Sequence, residues 1–136
     1  MPAGHRSLED CSGAWSGFWI QGPVRGHMRL HLRFGSGTIE GEGRDKIGKF
    51  VISGVFEGGS GKVLFTKVYR THEVEYGGKW DGQMMFGKWT IVYFEFNGRV
   101  YGESGEFELW PDHEEEGAES ANELEDATLA LPSGTR

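Results

Sequence analysis

The sequence predicts an all-β protein, an antiparallel up-and-down barrel of about eight strands. Three observations lead there. The stretch His27-Met28-Arg29-Leu30-His31-Leu32-Arg33-Phe34 alternates cations or histidines with large apolar residues, the period of a strand with one wet and one buried face. Glycine is abundant, 23 residues against 4 prolines, which suits short strands joined by turns and does not suit a helical bundle. Finally, alternating runs follow one another with only short glycine-containing breaks, leaving no room for a crossover helix.

Taken in order, residues 1–12 are polar and expected to be loose, with room for one helical turn at Ser7-Leu8-Glu9-Asp10. A first strand covers Ala14 to Gln21, with Trp15, Gly17 and Trp19 on one face, and ends at Gly22-Pro23. The alternating stretch then pairs with Thr38 to Asp45 as a hairpin. Keeping Met28, Leu30, Leu32 and Phe34 on the face of Ile39, Gly41 and Gly43 requires opposed residue numbers with an odd sum. The tightest such register turns at Gly35-Ser36, setting Arg33 against Thr38, His31 against Glu40 and Arg29 against Glu42. Lys46-Ile47-Gly48 turns the chain into a strand reaching Phe56. After Gly58-Gly59-Ser60-Gly61 comes Lys62 to Tyr69, then a tight turn at Arg70-Thr71 and a strand through Tyr76. The strand from Met84 to Val92 runs on towards Phe96. Asn97-Gly98 is a strong hairpin signal, and a last strand runs from Gly102 to Trp110. Such a meander loses its open edges by closing into a barrel, and inward glycines (Gly17, Gly41, Gly43, Gly54, Gly87) permit the bends of closure. A two-sheet sandwich is the alternative.

Gly13-Ala14-Trp15 at the first strand, with the spacing repeated in Gly17-Phe18-Trp19, resembles the opening of the calycin group, the lipocalin-like and avidin-like barrels. The resemblance covers residues 13–110 and implies the fold. It carries over no binding residue, because the second lipocalin motif and the polar set of a biotin pocket have no counterparts that align.

Charge divides the chain. Residues 1–110 hold 13 acidic and 13 basic side chains, and residues 111–136 hold 8 acids against Arg136, so the net charge of −7 belongs to the tail. The barrel lacks the basic excess that follows a phosphate backbone, which argues against nucleic acid. Within the tail, Ser120-x-x-Glu123 has capping-box spacing and Leu124, Ala127 and Leu131 recur helically, so a short helix over 120–131 competes with disorder. One cysteine, Cys11, excludes an intrachain disulfide. With no leader-like run and no apolar stretch of roughly 18 residues, the expected location is cytoplasmic, without membrane insertion.

Setting Phe50, Ile52, Gly54 and Phe56 inward places Val63, Phe65, Lys67 and Tyr69 inside, and next His72, Val74 and Tyr76. Asp45 ends the inward row of the hairpin and is the nearest carboxylate for a buried Lys67. Asp45, Lys67, Tyr69, His72 and Tyr76, with Trp15, Trp19 and Trp89 as aromatic walls, form the candidate ligand-binding set. An apolar lumen with a few polar groups fits a small, largely apolar or amphipathic ligand, and an inward Lys–Asp pair fits a plug equally. His27 and His31 lie about 13 Å apart along a strand, too far to share a metal, so no metal, cofactor or catalytic residue is assigned. Outward, Val51, Val55, Leu64, Val68, Met84 and Phe86 form an apolar wall that marks an interface, expected to make a homo-oligomer. The functional expectation is a non-catalytic small-molecule-binding barrel. Its alternatives are a scaffold barrel with a filled core, working through the wall or tail, and an enzyme of cyclase or isomerase type.

Overall fold

The computed structural model describes residues 6–112. Eight antiparallel strands follow one another: β1 (Gly13–Gln21), β2 (Val24–Gly35), β3 (Thr38–Asp45), β4 (Gly48–Phe56), β5 (Lys62–Tyr69), β6 (Glu73–Trp80), β7 (Met85–Phe96) and β8 (Arg99–Pro111). Each pairs with the next, and β8 returns to β1, so the meander closes into a barrel rather than a sandwich. The expected acidic tail and its helix at 120–131 lie outside the described residues. Among the described residues no helix is long and apolar enough to cross a membrane.

Alternation sets the core. Along β2, Gly26, Met28, Leu30, Leu32 and Phe34 are buried while the residues between them face out. The lumen holds Trp15, Trp19, Phe50, Ile52, Phe65, Tyr76, Trp89, Phe107 and Leu109, none more than 7% exposed.

The β2–β3 hairpin corrects the expected register. It turns at Ser36-Gly37 and pairs Gly35 with Thr38, Arg33 with Glu40, His31 with Glu42 and Met28 with Asp45. Ser36 and Gly37 both have positive φ, 51° and 80°, as a two-residue turn matched to strand twist requires. The shift is two residues, so every side chain keeps its face. The charge ladder survives as a diagonal: Arg33 donates both guanidinium nitrogens to Glu42, at 3.0 and 3.1 Å.

Residues 6–12, expected to be loose, instead close one end of the barrel. A 3-10 turn at Leu8–Asp10 buries Leu8 and Cys11. The Arg6 amide donates to the Gly82 carbonyl, the Trp80 indole donates to the Arg6 carbonyl, and the Trp15 indole donates to the Cys11 carbonyl. The large indoles at this end need acceptors when buried, and the segment supplies them. Burial pushes the Cys11 thiol up, which keeps it protonated and unreactive.

Candidate functional site

At the other end of the barrel, four strands aim polar side chains at one point. Asp45 closes β3, and its Oδ1 accepts from the Ile47 and Gly48 amides at 2.9 and 3.3 Å, so the same carboxylate shapes the β3–β4 turn. Oδ2 accepts from Lys67 Nζ at 2.7 Å, the Tyr69 hydroxyl at 2.5 Å and Trp19 Nε1 at 3.1 Å. Lys67 also donates to the Tyr76 hydroxyl at 3.1 Å, lies 3.4 Å from Met28 Sδ, and sits 4.4 Å from the centre of the Phe50 ring. With 1% exposure Lys67 is fully enclosed. Among the described residues no buried side-chain nitrogen or oxygen lacks a partner.

The expected residues separate into three groups. Asp45, Lys67, Tyr69, Tyr76 and Trp19 form one network. His72 is exposed at the rim, outside the lumen, where it stacks on Tyr69 with centroids 4.6 Å apart. It ends a two-residue turn, bonded through its carbonyl to the Tyr69 amide, and strand alternation does not apply there. Trp15 and Trp89 are buried elsewhere: Trp15 against Phe34 and Trp80 at the closed end, Trp89 donating to the Ile20 carbonyl. Met28 and Phe50 complete the cluster and were not in the expected set. Met28 was hidden by the register, because the true pairing, not the expected one, sets it opposite Asp45.

Burial pushes the Lys67 ammonium down to about 8 from an ordinary 10.5, against the attraction of Asp45. Tyr69 and Tyr76 move up, chiefly through burial and then through the charge of Asp45. In the window between the two Lys67 values the unfolded chain binds more protons than the folded one, so stability should rise with pH there. The tyrosines oppose this once unfolded tyrosine ionises near about pH 10. Urea midpoints should therefore climb between about pH 8 and pH 10, and the climb should vanish in Lys67→Met. A midpoint that falls over that interval would contradict the burial of Lys67.

The lumen around the cluster is packed. Phe65 stacks on Tyr76 with centroids 5.0 Å apart, and Phe107 meets both rings edge-on. The side chains that line it are at most 9% exposed. Grooves occur instead on the outside: one of about 1030 Å³ includes Leu64, Glu73, Glu75, Lys88 and Val92, and one of about 380 Å³ includes Phe18, Ile20 and Phe86. Of the expected wall, Val51, Val55, Leu64 and Phe86 are exposed and Val68 and Met84 half-buried.

No protein-family model and no curated protein matches the sequence. Among solved structures, the chain is similar to that of the bradavidin2–biotin complex, at 16% identity and a TM-score of 0.50, over 70% of this chain and 94% of that one. That likeness agrees with the closed eight-strand meander. The chain has an avidin-like barrel fold.

Proposed function

We propose that this chain is a non-catalytic binding barrel that works through its outer surface. The observation that carries this reading is the filled lumen: aromatic rings occupy the centre, and the polar groups there satisfy one another. Lys67, whose pKa is pushed down, is 1% exposed and bonded to Asp45, which weighs against a base or Schiff-base role. The apolar surface that remains available is outside, at Val51, Val55 and Leu64, each more than half exposed. Exposed apolar patches of this kind mark binding surfaces.

A second reading places a small, largely apolar ligand in the lumen. It is favoured by the fold, since the similar bradavidin2 structure is a biotin complex, and by the concentration of donors and acceptors around Asp45 and Lys67. Native mass spectrometry of the purified chain separates the two. The outer-surface reading expects a protein mass with no retained small molecule. A stoichiometric small molecule that is lost in Lys67→Ala would replace it with the lumen reading.

A further inference from the structure

The β7–β8 hairpin outruns the barrel. β6 leaves β7 at the Glu75–Thr90 pair, and β1 leaves β8 at Ile20–Glu106. Beyond those points the two strands pair only with each other among the described residues, out to the turn at Asn97-Gly98. The resulting arm is apolar and exposed: Val92, Tyr93, Phe94, Phe96, Val100 and Tyr101 all lie open, Phe96 to 64%. Two-stranded ribbons are marginal in water by themselves, and an uncovered apolar edge is a template for pairing with another chain.

We propose that the arm is an interface for a second copy of this chain. This deepens the outer-surface reading and rests on it. Antiparallel pairing of the β7 edge Ile91–Phe96 with its two-fold mate brings the tip of each arm, about 20 Å from its root, to the root of the other. The larger outer groove lies at that root, lined by His72, Glu73, Ile91, Val92 and Tyr93. The arriving tip carries Arg99, opposite Phe96, and the groove offers Glu73. Apolar edge, groove and charge are therefore complementary under one two-fold operation, which closes the assembly at a dimer. The β-bulge at Tyr93, between Val92 and Phe94, keeps the backbone pairing short, so the aromatic side chains supply most of the contact. At 150–250 Å² per aromatic side chain, the six exposed arm residues offer on the order of 600 Å². A standard interface takes about 800 Å² from each partner, and the groove supplies the difference.

Sedimentation velocity on the full chain at micromolar concentration tests this. The expected species is a dimer. Phe94→Ser with Phe96→Ser should give a monomer whose circular dichroism matches the parent, because both side chains are exposed, and whose thermal midpoint no longer depends on protein concentration. Arg99→Glu should weaken the dimer about tenfold, and adding Glu73→Arg should restore it. Three results would overturn the proposal: a monomeric parent at about 100 μM, well above the Kd of a weak specific interface; a dimer that survives the arm substitutions, assembled instead through the Val51–Val55–Leu64 wall; or a charge swap that restores nothing. A monomer with no small molecule in its native mass spectrum defeats the arm interface and leaves the outer-surface reading standing. A retained lumen ligand defeats that reading itself.

Discussion

Asp45→Leu is expected to be the more damaging half of an asymmetric pair, costing about 5 kcal/mol against about 3 kcal/mol for Lys67→Met. The asymmetry follows from the hydrogen bonds. Removing Lys67 leaves the Asp45 carboxylate accepting from Tyr69, Trp19 and the Ile47 and Gly48 amides, and a carboxylate held by several donors tolerates burial. Removing Asp45 leaves Lys67 with only the Tyr76 hydroxyl and the Met28 sulfur, and four donors around it lose their acceptor together. Each unsatisfied buried group costs about 1–3 kcal/mol, and a domain of this size holds only about 5–15 kcal/mol in total. Urea unfolding followed by tryptophan fluorescence measures both variants. Equal costs, or a larger one for Lys67→Met, would mean that Asp45 is not the hub of the network.

Gly17→Ala should be the second large effect, a loss of about 3 kcal/mol, the upper range for overpacking. Gly17 sits opposite Leu109 on the seam where β1 meets β8. A Cβ there would fall on the Glu108 carbonyl oxygen and within 2.8 Å of Leu109 Cα. Backbone cannot swing aside as a side chain can, so the strands must part where the barrel closes. Hydrogen exchange should show protection falling first at residues 15–20 and 106–111, with β3 to β5 retained. Gly58→Ala is the control: nothing lies within 4 Å of its added Cβ, so its cost should stay within about 0.5 kcal/mol. A uniform loss of protection in Gly17→Ala would mean that the seam is no weaker than the rest.

Strand identity and facing were legible because both are local. A period-two pattern assigns each side chain to a face from its immediate neighbours, and the inward positions of Asp45, Lys67, Tyr69 and Tyr76 followed from it. Registry was less legible. A slip of two residues preserves every face and exchanges one set of charge pairs for another, gaining Arg33–Glu40 and setting Arg29 opposite Arg44, and the φ values demanded by the Ser36-Gly37 turn decide between the two pairings. That small ambiguity concealed Met28. Alternation does not hold through the turn before β6, which is why His72 lies outside rather than within the lumen.

By itself, then, the sequence determined an antiparallel meander with a lysine and an aspartate turned inward, since periodicity and turn chemistry are properties of adjacent residues. Tertiary structure alone decided three things. It stacked Phe65 on Tyr76 with Phe107 edge-on to both, because how rings from opposite walls interlock depends on the whole barrel. It drew residues 6–12 onto the barrel end, because buried indoles there require carbonyl acceptors. It also exposed the arm, because β7 and β8 read as ordinary strands until the lengths of β6 and β1 beside them are known.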